Sequence, residues 1–190
     1  MVKTILFYYL FNFILFAYPS YIEKNIINSM ANYIMKVNKN IDKTKAYQMS
    51  KIFLDVSKKH EIEWIILVCI SKAESHFKIN SDSGTAAGLM QVNYNFWNVN
   101  RQKLKNNIYY SIDIGAFILK ETFKLVDKIY QKYYPDYEVP FYKYLLVYHG
   151  GTKRVFAKKF TKKEKIYIKN VYTCFDYFDL LRYVRWYCIW

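Results

Sequence analysis

Glu74 lies where a carboxyl group would tend to keep its proton. It follows residues 62–73, "IEWIILVCISKA", which are apolar nearly all round and therefore predict a helix buried in the core. The negative end of the helix dipole and the apolar surroundings both favour the uncharged form of the acid. Cleavage of a glycosidic bond requires such a protonated carboxyl group, because the leaving oxygen must receive a proton.

A loop of small and polar residues follows Glu74 and leads to a second group of candidate residues. Residues 78–87 contain serine, aspartate and glycine, which allow a backbone to approach a ligand closely. The next segment, "GLMQV", supplies the thioether of Met90 and the amide of Gln91, which suit a sugar ring and its hydroxyl or N-acetyl groups. We therefore predict a carbohydrate site in which Glu74 is the acid and these two residues line the cleft.

The elements that must position these residues are predicted to be helices, since no segment has a convincing period-two pattern. The apolar spacing predicts helices over residues 22–38, 44–59, 62–73, 88–97, 112–126, 141–148 and 162–175. The chain divides into an N-terminal helix (21–43), a catalytic domain (44–175) and an aromatic C-terminal tail (176–190). The fold class is therefore all-α, with room for a small hairpin near residues 78–87.

Four segments resemble, in order, motifs of the soluble lytic transglycosylase family. They are "ESHF" followed by "GLMQV", "SIDIGAFIL" from Ser111, "VYHGGTKRV" from Val147, and "TKKEKIYIKNV" from Thr161. Each string alone is weakly specific, but their shared order over residues 45–175 is a strong signal. The resemblance implies a lysozyme-like transglycosylase domain with a small β-hairpin beside the cleft, and it makes Glu74 the catalytic acid and base.

The resemblance also implies substrate-binding residues beyond Met90 and Gln91. Tyr148 is expected near the acid, and Tyr167 is expected to form a second wall. Ser83 is assigned to the substrate site, with Ser81 as the alternative position for the loop serine of the family. His149 stands where the family has asparagine, and it adds a group that titrates near neutral pH to the site.

The implied reaction cleaves the β-1,4 bond between N-acetylmuramic acid and N-acetylglucosamine in peptidoglycan. Glu74 would protonate the glycosidic oxygen and then deprotonate the muramoyl 6-hydroxyl, which closes onto C1 as a 1,6-anhydro ring. The alternative reaction is that of a goose-type-lysozyme-like muramidase, a hydrolase in which Asp82 would be the second carboxylate and would activate water. A non-catalytic wall-binding or secretion-apparatus subunit is a further alternative, against which the presence of Glu74 and Gln91 argues.

The N-terminal sequence predicts export. Residues 5–18 form an apolar run of the length of a signal-peptide core, so residues 1–20 are interpreted as a signal peptide or a short membrane anchor. The protein is then expected in the periplasm or cell envelope, an oxidising compartment. Cys69 lies in the apolar run and is interpreted as a core residue, whereas Cys174 and Cys188 could pair.

The charge balance favours anionic partners. The 190 residues carry a formal net charge of +14, and residues 151–169 hold eight lysines and arginines against one glutamate. Peptidoglycan strands are the expected partner, together with an anionic wall polymer or membrane surface. A secretion, flagellar or other envelope-spanning machine is a further candidate partner. No nucleic-acid motif is present, and we expect no metal and no cofactor, since the cysteine spacings make no zinc site.

Overall fold

Helices dominate the computed structural model, which describes residues 20–178. In this part of the chain there are seven α-helices: α1 (Ser20–Val37), α2 (Lys43–His60), α3 (Trp64–Ser75), α4 (Arg101–Asn106), α5 (Ile108–Tyr133), α6 (Phe141–Gly150) and α7 (Lys162–Tyr177). One antiparallel pair of strands, β1 (Ala86–Ala87) and β2 (Val92–Asn93), lies between α3 and α4, and a 3₁₀ helix, Thr152–Phe156, follows α6. The predicted all-α class with a small hairpin is confirmed.

The most apolar helix, α3, lies in the core. It packs against α2 and α7, and Leu67, Val68 and Ile70 have no exposed surface. Each such side chain contributes about 1.5–3 kcal/mol through removal of its apolar surface from water. The near-continuous apolar pattern of this segment is therefore explained by neighbouring helices on several sides. This packing fixes the position of the residues at the end of α3.

Two consecutive left-handed residues end α3 directly after its last turn. His76 has a φ of 51° and Phe77 a φ of 59°, a conformation that a right-handed helix cannot continue. The ring of Phe77 is fully buried and packs edge-on against Tyr33 and Phe53, with centroid distances of 6.1 and 6.4 Å. This anchored turn holds Glu74 in the final turn of α3.

A disulfide bond joins α3 to α7. It links Cys69 to Cys174, which are 105 residues apart in sequence and have Cα atoms 5.4 Å apart. Cys69 is a buried core residue, as predicted, but the suggested pairing of Cys174 with Cys188 is wrong, because Cys174 bonds to Cys69. The two helices pack directly against each other, which brings these cysteines within bonding distance. Cys188 lies outside the described residues.

The segment after the loop is a hairpin and not the predicted helix over residues 88–97. Ala86 pairs with Asn93, and the turn between the strands contains Gly88 with a φ of +81° and Gln91 with a φ of +48°. Both angles exclude a right-handed helix. A Cβ atom at position 88 would lie 2.3 Å from Ser111 Oγ, so the close approach of α5 requires glycine at this position.

The predicted targeting and tail segments fall largely outside the described residues. These are the signal peptide or anchor (1–20) and the aromatic tail (176–190). Among residues 20–178, no helix combines the length and the apolar character needed to cross a membrane.

Candidate active site

The carboxylate of Glu74, on α3, faces the imidazole of His149, on α6. Glu74 is in the last turn of α3, and its side chain is only 10 % exposed. His149 is at the end of α6, and its Nδ1 lies 3.3 Å from Oε1 of Glu74. Because α6 ends at Gly150, the imidazole is at a helix terminus, where its ring remains partly accessible to solvent. The sequence predicted both residues as parts of one site, and the structure brings them together.

The imidazole of His149 lies flat against the ring of Tyr167. Their centroids are 4.1 Å apart and their planes differ by 15°. The hydrogen bond to Glu74 raises the pKa of His149, while partial burial of the ring acts in the opposite direction. The charges of Glu74 and Glu164 raise this pKa further, and the charge of Lys163 lowers it. The net direction is upward, which favours an imidazolium beside the carboxylate.

Tyr167 is the second tyrosine that the sequence placed in the site. It is on α7, it is almost fully buried, and its hydroxyl makes no hydrogen bond of normal geometry within the described part of the chain. Burial raises the pKa of Tyr167 well above its usual range, and the negative charge of nearby Glu74 adds to the effect. The phenol is therefore neutral, and it can donate a hydrogen bond beside the acid.

Tyr148 connects α6 to the hairpin. Its hydroxyl donates to the backbone carbonyl of Met90 over 3.0 Å, and burial together with the charge of Glu74 raises the pKa of Tyr148. The Met90 side chain has no exposed surface, which differs from the predicted contact with a sugar ring. The reason is Gly115 on α5: a Cβ there would lie 2.4 Å from Sδ of Met90, so the missing side chain leaves space for the thioether in the core.

The side chains of Gln91 and Ser83 form hydrogen bonds to backbone groups of the loop and hairpin. The side-chain amide of Gln91 donates to the carbonyl of Gly88 over 2.9 Å. The hydroxyl of Ser83 accepts from the N–H of Ala86 at 3.1 Å and donates to its carbonyl at 3.2 Å. These bonds shape the loop that follows the acid, and a role for either residue in binding substrate stays a prediction.

Asp82 is held by basic residues of α4. Its Oδ2 lies 2.8 Å from Nη2 of Arg101 and 3.0 Å from Nζ of Lys105, while Oδ1 accepts from the N–H of Gly84 at 3.0 Å. The Gly84 hydrogen bond and then the Lys105 and Arg101 bonds lower the pKa of Asp82 to about 2. Asp82 is therefore a carboxylate at neutral pH, and its ion pairs connect the loop to α4.

Two supporting features escaped the sequence analysis. The first is α4, which supplies Arg101; its signal was Asn100, whose side chain caps the helix by accepting from the N–H of Lys103 at 2.9 Å. The second is Glu164, which completes a capping box at the start of α7 and forms an ion pair with Arg154. The spacing of Thr161 and Glu164 is the sequence signature of that box.

The structure carries no arrangement typical of a metal centre within residues 20–178, where no group of three or more His, Cys, Asp and Glu side chains could hold a metal ion. The groups that the structure brings together in the candidate site are one nearly buried carboxylate, one imidazole and two neutral phenols, contributed by α3, α6 and α7. Such a set can donate and accept protons on a bound ligand.

A comparison with models of protein families identifies the family of the chain. The family model described as "Transglycosylase SLT domain" matches residues 51–171, which is more than half of the chain and includes Glu74, Tyr148, His149 and Tyr167. No curated protein and no solved structure matches the chain at a significant level. The breadth of the family match and the order of its motifs lead to one conclusion: the chain belongs to the transglycosylase SLT domain family.

Proposed function

We propose that the chain is a peptidoglycan lytic transglycosylase in which Glu74 is the single catalytic acid and base. The family supports peptidoglycan-degrading activity of the lytic transglycosylase type. The observation that carries the finer proposal is the position of the Glu74 carboxyl group. It is 10 % exposed, it ends a buried helix, and it faces proton-holding groups from two other helices.

The proposed reaction uses the same carboxyl group twice. Protonated Glu74 first gives its proton to the oxygen that links N-acetylmuramic acid to N-acetylglucosamine, so that the leaving sugar departs with a hydroxyl group. The resulting carboxylate then takes the proton of the muramoyl 6-hydroxyl as that oxygen bonds to C1. The products are a new N-acetylglucosamine end and a 1,6-anhydro-muramic acid end, and Glu74 is again protonated.

The two tyrosines support this cycle by staying neutral. Burial raises the pKa values of Tyr148 and Tyr167 well above the usual range of a phenol. A neutral phenol near Glu74 can stabilise the carboxylate stage without adding a negative charge to the site. Tyr148 already donates to the Met90 carbonyl, so Tyr167 is the better placed of the two for this task.

The contacts of Asp82 favour a mechanism with one catalytic carboxyl group over a mechanism with two. A muramidase of the goose-type-lysozyme kind with Asp82 as second carboxylate would need that group to activate water. Asp82 instead accepts from Arg101, Lys105 and the Gly84 N–H, and these bonds lower its pKa to about 2. A carboxylate so strongly stabilised is a poor proton acceptor.

An exported location fits this function. Peptidoglycan lies in the cell envelope, and the Cys69–Cys174 disulfide is of the kind that persists in oxidising compartments. The apolar run at residues 5–18 supplies a candidate export signal. We therefore propose that the domain acts in the periplasm or cell envelope.

The decisive experiment is mass spectrometry of the products released from purified peptidoglycan. A lytic transglycosylase leaves 1,6-anhydro-muramic acid ends, which are lighter by one water than the products of hydrolysis. Reducing muramic acid ends throughout would contradict the proposed reaction and support the hydrolase. Absence of any cleavage under conditions where the folded protein binds the wall would support a non-catalytic role.

A further inference from the structure

We propose that His149 and Glu74 share a single proton, and that His149 holds this proton and passes it to the carboxylate of Glu74, the catalytic acid. His149 is a positioning and proton-holding residue that acts through Glu74, and it does not itself touch the reacting atoms. This inference rests on the proposed function of Glu74. It assigns a role to the histidine whose place in the site the sequence left unexplained.

The contact between the two side chains allows proton exchange. Nδ1 of His149 lies 3.3 Å from Oε1 of Glu74, slightly longer than a normal N–H···O hydrogen bond. Catalytic hydrogen bonds are often long in a protein without substrate and shorten in the complex. The stack on Tyr167 restricts the imidazole to one plane, which keeps Nδ1 directed at the carboxylate.

Charged groups on two helices bias His149 toward the protonated form. Glu74 on α3 makes the hydrogen bond and supplies the nearest negative charge, and Glu164 on α7 adds a second one. Lys163, also on α7, acts in the opposite direction. Glu164 itself is partly neutralised by its ion pair with Arg154, whose Nη2 donates to Oε2 over 2.6 Å. Glu74 is therefore the partner that chiefly sets the charge of the imidazole.

The proton moves between two forms of one pair. In the first form His149 is an imidazolium and Glu74 a carboxylate; in the second, the Nδ1 proton has passed to Oε1 and both groups are neutral. No other atom gains or loses a proton in this step, and total charge is unchanged. The second form contains the protonated carboxyl group with which the proposed reaction begins.

Substrate binding shifts this equilibrium toward the neutral form. The side chain of His149 is 32 % exposed in the free protein, so water stabilises its positive charge. A glycan that covers the site removes that water, and loss of solvation disfavours a pair of opposite charges relative to a neutral pair. The acid is thus loaded when the sugar is in place, and the imidazole takes no net proton from solvent.

Nuclear magnetic resonance tests the sharing without any assay of activity. The chain has three histidines, so the Cε1–H signal of His149 can be assigned as the one lost in His149→Asn. We expect the pKa of His149 in the wild-type protein to lie above the ordinary value for histidine, and to fall in Glu74→Gln, which keeps the shape of the partner but not its charge. An unchanged His149 titration in folded Glu74→Gln would overturn the proposal.

The pH dependence of kcat/KM tests the role in catalysis. The negative charge of Glu74 raises the pKa of His149, so the pair holds its last proton to higher pH than a lone acid does. The alkaline decline in activity should therefore begin at lower pH in His149→Asn than in the wild type. His60→Asn is the matched control, because His60 contacts Asp113 at 2.7 Å and not Glu74. Its alkaline limit should match that of the wild type.

The outcomes separate this inference from the proposed function. If the wild type forms anhydro ends and His149→Asn retains the wild-type alkaline limit, the transglycosylase reaction stands and the proton sharing is wrong. If the wild type forms reducing ends or is inactive, the proposed function fails. A His149 titration that is unchanged in Glu74→Gln would still show that the two residues do not share a proton.

Discussion

The disulfide between Cys69 and Cys174 joins the helix that carries Glu74 to the helix that carries Tyr167. Lys72 adds a second link between the same helices, since its Nζ donates to Oδ1 of Asn170 over 3.0 Å. The acid and the buried phenol beside it are thus held on two elements that are covalently connected. The geometry of the candidate site depends on this connection.

Loss of this disulfide should destabilise the domain. We expect reduction, or the pair of changes Cys69→Ala and Cys174→Ala, to lower the free energy of unfolding by about 2–5 kcal/mol, because the unfolded chain is no longer constrained. Thermal unfolding with and without a reducing agent measures the effect. Cys188→Ala is the control, and its response to the reducing agent should match that of the wild type. Equal midpoints for oxidised and reduced protein would contradict the prediction.

Replacement of Glu74 by glutamine should remove catalysis and keep binding. The amide retains the shape of the carboxyl group but cannot give or take the required proton, so the rate of peptidoglycan cleavage should fall by roughly 10²–10⁴-fold or more. Product release and wall binding are measured on the same samples. Glu61→Gln is the matched control, because Glu61 is exposed and pairs with Lys120 away from the site; it should retain the wild-type rate. A fully active Glu74→Gln protein would remove the central proposal.

Asp82→Asn should affect stability and leave the type of product unchanged. Because the pKa of Asp82 is lowered to about 2, its charge stabilises the folded state above the ordinary aspartate pKa of about 3.9. That contribution is lost as the pH falls through about 2. The difference in melting temperature between wild type and Asp82→Asn should therefore be full near neutral pH and disappear toward pH 2.

Products of the Asp82→Asn protein distinguish the two enzymatic mechanisms. In the one-carboxylate reaction, 1,6-anhydro ends should continue to form. A severe loss of activity, in a protein that unfolds at its expected temperature, would instead favour the hydrolase that uses Asp82 to activate water. Asp136→Asn, which alters an exposed carboxylate between α5 and α6, controls for the loss of one negative charge.

Wall binding should depend on salt through the basic segment at residues 151–169. Its seven lysines are all exposed; Lys158 and Lys159 lie just before α7, and Lys162 is the first residue of that helix. Attraction of such exposed charges to an anionic polymer is screened as ionic strength rises. We expect the triple change of these lysines to glutamate to weaken binding to purified wall at low salt, and the difference to shrink at high salt.

A charge-matched control distinguishes this segment from net charge alone. The same change at Lys39, Lys43 and Lys45, which are exposed near the start of α2, alters the total charge equally. It should weaken binding less than the change in residues 151–169. Wild-type binding that is equal at low and high salt would show that the basic segment does not attract the wall.

Local sequence patterns were sufficient to predict most of the helices and to identify Glu74 as the candidate acid. The apolar spacing predicted α1, α2, α3 and α7 to within a few residues, because the side chains of one helix face recur at a fixed period. The position of Glu74 at the end of the most apolar helix could likewise be read directly from the chain. The order of the motifs then led to the family that the family model confirms.

The sequence was less informative where local and long-range effects compete. The segment after Gly88 has apolar residues at helix-like spacing, yet it forms a hairpin because positive φ angles at Gly88 and Gln91 interrupt any helix. Met90 could be a surface thioether or a core residue on sequence grounds alone. The absence of a side chain at Gly115, on another helix, decides in favour of the core.

The tertiary structure decided the disulfide pairing and the distances between groups that are far apart in the sequence. Cys69 and Cys174 are 105 residues apart, His149 and Glu74 are 75 residues apart, and each pair depends on how two helices are placed relative to each other. Residue types and local periodicity carry no information on such distances, because packing is determined by the shapes of whole helix faces. The sequence thus determined an acid at the end of a buried helix, whereas packing of α7 against α3 and of α6 against α7 decided how closely the imidazole and the phenol approach it.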